Sequence, residues 1–216
     1  MYLIAHRGND NHSFRENTIN ALISCLDRPY INGVELDVRI TKNQEIIIYH
    51  NMFLLDKSNN ICKISDKNLD EILEVKPYIS TLESFLSVIK TNKIIIIEIK
   101  EESNINDKLI NNLFKILKKY NYLNLYLCSF NYNLMKKIKL KYSNYKCGLI
   151  IGYLMNKNHV SNEFDFYLYS YNNINLINND KEIFIFNVKN IDRLDKLKIK
   201  KEFYIITDKP NYFASL

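Results

Sequence analysis

The feature that most constrains the fold is a regular alternation of short apolar runs with segments of helical character along the whole chain. Near-continuous apolar strands with helices between them indicate a parallel sheet that is buried on both faces. Eight such strands predict a (β/α)8 TIM barrel, for which 216 residues lie toward the small end of the usual range. The predicted strands cover residues 2–6, 33–39, 94–100, 123–129, 147–151, 165–169, 182–186 and 202–206.

The segments between the strands complete the predicted architecture. A β-hairpin arm and a short irregular insertion over residues 51–78 follow the second strand, and the insertion holds one short helix that Ser65 or Asp66 caps. No linker, repeat or low-complexity tract divides the chain, so we expect a single domain over residues 1–216. The other helices are predicted at 17–28, 81–90, 107–120, 133–141 and 191–197.

Composition excludes several classes of protein. The chain is 47% hydrophobic and 25% charged, which is typical of a globular domain, and no run reaches the roughly eighteen apolar residues of a membrane span. The net charge is +6, but the lysines are spread along predicted helices, so we expect no nucleic-acid partner. The four cysteines lack CxxC spacing, and the N-terminus lacks the pattern of a signal peptide, so we expect a cytoplasmic protein without a zinc or disulfide framework.

The stretch GVELDVRITKNQEIIIYH over residues 33–50 predicts a hairpin that holds candidate functional residues. Glu35 and Asp37 are two residues apart, so on a strand they project from the same face, with their Cα atoms about 7 Å apart. If the turn centres on Lys42 and Asn43, antiparallel pairing places His50 directly across from Glu35. Two acids and a histidine then converge on one spot, whereas the alternative is a half-buried hairpin whose acids face water.

Polar residues also mark the C-terminal ends of other strands, where TIM barrels build their active sites. His6 and Arg7 end the first strand, and Glu98 and Lys100 lie on the third. Because an isolated buried carboxylate costs several kcal/mol or more, Glu98 within the run IIIIEIK must be paired or bind a cation. The alternative to a cation is an ion pair between Glu98 and Lys100, which lie on the same face of the strand.

These residue types together indicate phosphate chemistry. Glu35, Asp37 and Glu98 form an oxygen-only set that suits Mg²⁺ or Ca²⁺, with Mn²⁺ also compatible, rather than zinc. Arg7 and Lys100 add positive charge at the same rim, as in a clamp on a phosphate group. Two histidines, His6 and His50, supply an acid and a base.

This constellation resembles the glycerophosphodiester phosphodiesterase family, and the matching pieces occur in order over nearly the whole chain. The resemblance implies a single catalytic barrel and a phosphoric diester hydrolase that acts on a small-molecule phosphodiester. It implies His6 and His50 as acid and base, the three carboxylates as ligands of one divalent cation, and Arg7 and Lys100 as phosphate-binding residues. The matching pieces are IAHRG (4–8), ENT (16–18), GVELDVRITKNQEIIIYH (33–50), STLESFL (80–86), IEIK (97–100), SF (129–130), FNV (186–188) and IITDKP (205–210).

The resemblance also implies a mechanism, in which the glycerol 2-hydroxyl of the substrate attacks phosphorus and expels the alcohol, and water then opens the cyclic phosphate. Two positions depart from the family pattern. Asn51 stands where the family usually has Asp, and Phe186 stands where it usually has Trp.

Other readings of the same residues stay open at this point. A sphingomyelinase D or a lysophospholipase D resembles the chain around the histidines and the first two acids, although Glu98 and IITDKP favour the phosphodiesterase. Phosphatidylinositol-specific phospholipases C share the barrel and the paired histidines. A non-catalytic barrel that binds without turnover is the alternative from a different class. The residues leave the departing alcohol and the oligomeric state open.

Overall fold

The structure is a computed structural model, and the residues that it describes are 1–10, 14–100, 106–153, 155, 160, 162–178, 180–188 and 202–215. Eleven strands and six helices lie within these residues. The strands are β1 Tyr2–Ala5, β2 Gly33–Ile40, β3 Ile46–Ile48, β4 Phe53–Leu55, β5 Ile61–Lys63, β6 Ile94–Ile99, β7 Asn124–Ser129, β8 Lys146–Ile151, β9 Phe166–Ser170, β10 Glu182–Phe186 and β11 Tyr204–Thr207. The helices are α1 Ile19–Leu26, α2 Leu69–Val75, α3 Leu82–Val88, α4 Asn106–Leu117, α5 Tyr132–Lys141 and α6 Pro210–Ala214.

Eight parallel strands close into a barrel in the order β1-β11-β10-β9-β8-β7-β6-β2, and β2 pairs with β1 to complete the ring. The closing pairs are Ile4 with Gly33 and Ala5 with Val34. The predicted (β/α)8 barrel is therefore confirmed, and each predicted strand is found within two residues of its predicted bounds. The helix predicted at 191–197 lies outside the described residues.

Both faces of the barrel are buried, which explains why the strands read as continuous apolar runs. One face of each strand packs under the helices, where Phe85 of α3 and Phe114 of α4 join the core. The other face fills the interior, in which the ring of Phe184 stacks on Tyr204 and meets Phe166 edge to face. This aromatic filling leaves the C-terminal ends as the place for polar groups.

The hairpin arm forms, but its predicted register is wrong by one residue. Val38 pairs with Ile48 and Ile40 with Ile46. The turn is one residue longer than predicted because Gln44 adopts a left-handed conformation, with φ of 68°, as in three-residue hairpin loops. Strand β3 ends at Ile48, so His50 does not pair across from Glu35.

The insertion after the arm is an antiparallel pair, β4 with β5, followed by a 3-10 turn at Ile64–Asp66 and by α2. The predicted cap at Ser65 or Asp66 is wrong, because Asn68 is the N-cap and its backbone N–H donates to the Glu71 carboxylate at 2.9 Å. Among the described residues, none of the helices is long and apolar enough to cross a membrane.

Gly148 on β8 provides a test of the interior packing. A Cβ atom built on Gly148 would lie 2.3 Å from the fully buried ring of Phe166, so Gly148→Ala forces that ring to move. We expect the free energy of unfolding in urea to fall by about 1–3 kcal/mol, the usual cost of overpacking. The control is Gly152→Ala, whose Cβ would lie 3.1 Å from the partly exposed ring of Phe130 and should change stability by less than about 0.5 kcal/mol. Equal unfolding midpoints for the two variants would contradict this account of the barrel interior.

Candidate functional site

The seven residues predicted from sequence meet at the C-terminal end of the barrel. Six of them, His6, Arg7, Glu35, His50, Glu98 and Lys100, line one pocket of about 190 Å³. The seventh, Asp37, is fully buried next to this pocket. Apart from Asn187, the rest of the lining is apolar, with side chains from β8, β9, β10 and β11 and from the loop after β7.

The three carboxylates converge as predicted. Asp37 of β2 and Glu98 of β6 are directly paired in the parallel register, and Glu35 precedes Asp37 on the same face. One oxygen from each of Glu35, Asp37 and Glu98 lies within 4.8 Å of the other two. The parallel pairing of β2 with β6 thus places three acids in one cluster.

Asp37 is held in its charged form by three neighbouring side chains. Its carboxylate lies 2.9 Å from Lys100 Nζ and 3.1 Å from Arg7 Nε, and it accepts a hydrogen bond from Asn17 Nδ2 at 2.8 Å. Burial by itself raises the pKa of Asp37, but Lys100 and Arg7 outweigh it and hold the pKa below its ordinary value. Asp37 is therefore an ionised carboxylate with no exposure to solvent.

Lys100 also pairs with Glu98, at 2.5 Å between Nζ and Oε1. The alternative recognised in the sequence, an ion pair between these two residues, is thus present. Burial nevertheless raises the pKa of Glu98 above its ordinary value, despite the nearby ammonium group. Lys100 is shared by two carboxylates of the cluster and does not balance the charge of all three.

Glu35 has the least favourable surroundings for a negative charge. Burial, and next the negative charge of Asp37, raise its pKa to about 8. Its Oε2 accepts the backbone N–H of Arg7 at 3.1 Å and lies 3.8 Å from His6 Nε2. Arg7 can present this N–H because its backbone is left-handed, with φ of 51°.

The two histidines have different partners. His6 Nδ1 lies 2.7 Å from the carboxylate of Asp208, and this bond and Glu35 outweigh the effect of burial and raise the pKa of His6 to about 8. His50 Nδ1 lies 2.8 Å from the amide oxygen of Asn51, and burial lowers the pKa of His50. The fold thus gives the two imidazoles opposite tendencies to carry a proton.

Sequence reasoning missed the side chains that orient the site. Asn17 bonds Asp37, Glu16 accepts from Arg7 Nη1 at 2.9 Å, and Asp208 bonds His6. Their signals were the motifs ENT and IITDKP, which were noted without roles for individual residues.

The carboxylate cluster fits a hard divalent cation. It offers three oxygen donors, the ligand type that Mg²⁺ and Ca²⁺ prefer, and the described surroundings of the cluster contain a lysine and an arginine as permanent counter-charges for three acids. Glu35, Asp37 and Glu98 are the residues that could hold such an ion.

Fold and site together define a (β/α)8 barrel with an acidic pocket of the kind used in phosphate-ester chemistry. The model of the glycerophosphoryl diester phosphodiesterase family matches residues 6–171. The chain belongs to that family, which confirms the predicted family.

Individual relatives agree with this assignment. A glycerophosphodiester phosphodiesterase of Caldanaerobacter subterraneus is 27% identical over a match that covers 68% of this chain and 65%, slightly under two thirds, of the relative. A glycerophosphodiester phosphodiesterase of Thermotoga maritima has a similar fold, with a TM-score of 0.79 at 24% identity over 100% of this chain and 97% of its own. A glycerophosphodiester phosphodiesterase of Parabacteroides distasonis has a TM-score of 0.82 at 18% identity, and the match covers 99% of this chain and 95% of its own. An Oleispira antarctica phosphodiesterase, whose structure is in complex with the product sn-glycerol-3-phosphate, has a TM-score of 0.79 at 18% identity. The match covers 100% of this chain and 96% of its own.

Asn17 allows a test of how the cluster is held. Glycine adopts the left-handed backbone of Asn17, with φ of 56°, without strain, so Asn17→Gly removes only the amide that bonds Asp37. We expect the free energy of unfolding to fall by roughly 1–3 kcal/mol, because a buried charged group loses a donor. The matched control is Asn59→Gly, at an exposed turn position with φ of 62°. Equal stability of the two variants, measured by urea denaturation, would show that the Asn17 amide does not stabilise Asp37.

Proposed function

We propose that this chain is a single catalytic domain that hydrolyses glycerophosphodiesters to glycerol 3-phosphate and an alcohol, with one divalent cation held by Glu35, Asp37 and Glu98. The observation that carries the proposal is the convergence of these carboxylates with Arg7, Lys100 and the two histidines on one pocket. Family membership supports it, as does the sn-glycerol-3-phosphate bound to the Oleispira relative.

The proposed roles follow from charge and position. A bound divalent cation supplies positive charge at the phosphate and increases the acidity of a hydroxyl group that contacts it. Arg7 and Lys100 bind the phosphate oxygens from the same side of the pocket. Lys100 Nζ contacts two of the three proposed ligands, so we propose that it would turn toward the phosphate when Asp37 and Glu98 hold a cation.

The histidines are proposed to move protons in two steps. His50 accepts the proton of the glycerol 2-hydroxyl as its oxygen bonds to phosphorus, and His6 donates a proton to the departing alcohol as its bond to phosphorus breaks. In the second step His6 accepts a proton from water, whose oxygen bonds to phosphorus, and His50 returns a proton to the 2-oxygen as the ring opens. Each residue ends in the state in which it began.

The position of His6 supports its proposed role as the acid. His6 lines the carboxylate pocket and also an adjoining cavity of about 500 Å³, whose wall includes Asp208, Tyr212 and Phe213. An imidazole between the two spaces can reach an oxygen that joins phosphate to a larger group. We propose that the leaving alcohol enters this second cavity.

The proposed cation can be tested by calorimetric titration with Mg²⁺ and Ca²⁺. Glu98→Gln removes a proposed ligand and should weaken binding by at least about tenfold. Lys100→Met removes the ammonium that competes for Asp37 and Glu98, so this variant should bind the cation more tightly than the wild type. Lys136→Met is the control, because Lys136 pairs with an exposed acid outside the site, Glu163. Full hydrolysis in excess EDTA would disprove the metal dependence.

The proposed attack by the 2-hydroxyl can be tested with substrates. Glycerophosphocholine should be hydrolysed through a cyclic 1,2-phosphate that ³¹P NMR detects early. The 2-deoxy analogue should react at least about a hundredfold more slowly, since it lacks the oriented intramolecular nucleophile. Equal rates on both substrates would instead indicate direct attack by water. A preference for lysophosphatidylcholine or sphingomyelin over the soluble diester would favour the phospholipase D alternatives.

A further inference from the structure

Three consecutive residues after β3 form a chain of side-chain hydrogen bonds. The amide oxygen of Asn51 lies 2.8 Å from His50 Nδ1. Burial raises the pKa of the Tyr49 hydroxyl, and a hydrogen bond from Asn51 acts in the opposite direction, as a donor to that oxygen does. The atom of Asn51 that lies against His50 Nδ1 is its carbonyl oxygen, which leaves the amide N–H for the Tyr49 hydroxyl.

This orientation fixes the proton on the imidazole. A carbonyl oxygen can only accept, so His50 Nδ1 must be the donor and carry the hydrogen. In the neutral ring the other nitrogen, Nε2, is then the acceptor. The backbone of His50 is held as well, because its carbonyl accepts a hydrogen bond from Arg39 Nε at 2.8 Å.

We infer that Asn51 is a positioning residue, which holds His50 in the tautomer that leaves Nε2 ready to accept a proton from the substrate. The inference rests on the proposed function of His50 as the base. It gives the neutral amide at position 51 a role that a carboxylate would perform differently, because an ionised partner favours the protonated ring.

The charged groups around His50 have opposing effects on its pKa, so the charge of the residue at position 51 affects whether the ring is protonated. Asp37 of β2 favours the protonated ring, while Lys100 after β6 and Arg7 after β1 oppose it. Burial, the largest influence, also favours the neutral ring. The hydrogen bond to Asn51 also favours the protonated ring, but it brings no charge, so burial, Lys100 and Arg7 still hold the pKa of His50 below its ordinary value.

The tautomer can be measured without any assay of activity. Long-range ¹H–¹⁵N NMR of protein labelled on histidine distinguishes the two ring nitrogens, and His50→Gln identifies the His50 signals among the four histidines. We expect the neutral ring of His50 to carry its proton on Nδ1 in the wild type and to lose that preference in Asn51→Leu. A dominant Nε2–H form in the wild type would overturn the inference, whether or not the chain hydrolyses diesters.

Kinetics then separate positioning from a merely structural role. Asn51→Leu removes the acceptor and should lower kcat about tenfold, with KM changed by less than about twofold. Asn51→Asp keeps the acceptor and should restore kcat at high pH. Its charge raises the pKa of the base, and the base works unprotonated, so the acidic limb of kcat/KM should move up by about one pH unit.

Asn121→Asp is the charge-matched control, because Asn121 is exposed and precedes β7 at the opposite end of the barrel. The acidic limb of its kcat/KM profile against pH should coincide with that of the wild type. Coincident limbs for Asn51→Asp and Asn121→Asp, or an unchanged kcat in Asn51→Leu, would overturn the assignment. A wild type that hydrolyses no glycerophosphodiester would reject the proposed function, and the NMR result would still decide how Asn51 holds the ring.

Discussion

The buried charge of Asp37 is the constraint on which the C-terminal end of the barrel depends. An ionised carboxylate without access to water is costly unless charged and hydrogen-bonding partners replace its hydration. Here the partners come from three separate segments: Arg7 after β1, Asn17 before α1 and Lys100 after β6. Compensation of one charge thus fixes the positions of three loop segments, and these segments carry the remaining groups of the site.

The backbone of these segments shows what that compensation requires. Arg7 and Asn17 are both left-handed, a conformation that costs a non-glycine residue about 1 kcal/mol or more. Gly8 between them has φ of 68°, and a Cβ there would lie 2.8 Å from the backbone nitrogen of Leu22 in α1. The motif HRG therefore combines a residue that bonds the acids with a glycine that allows α1 to pack closely. The HRG loop has an unfavourable backbone conformation. Packing against α1 and the ion pair with Asp37 together stabilise it.

Several properties of this protein could be read from the sequence because they depend on local pattern. Buried parallel strands are apolar on both faces, so the eight runs and the barrel were predictable, and Glu98 was visible as a charge within isoleucines. The hairpin register could not be predicted, because it depends on the left-handed conformation of Gln44. Glutamine gives no local signal for such a turn.

The orienting contacts were not predictable for a different reason. Asp208 meets His6 across the closure of the barrel, 202 positions apart in the chain, and Asn17 meets Asp37 at a separation of 20 positions. No periodicity in the sequence encodes such pairs. They follow from the closure of the ring, which brings the loop after β11 beside the loop after β1.

Charged and apolar residues line different parts of the pocket. The charged groups come from β1, β2, β6 and the hairpin arm, whereas Ile150, Leu168 and Ile206 supply apolar surface from β8, β9 and β11. Apolar walls lower the local dielectric and strengthen each charge interaction across the pocket, which also explains why burial moves the pKa values of Glu35 and Glu98 upward. A counter-charge brought in with the substrate or a cation therefore acts more strongly here than it would in water. The apolar strands of the barrel therefore strengthen the interactions among the charged groups that they face.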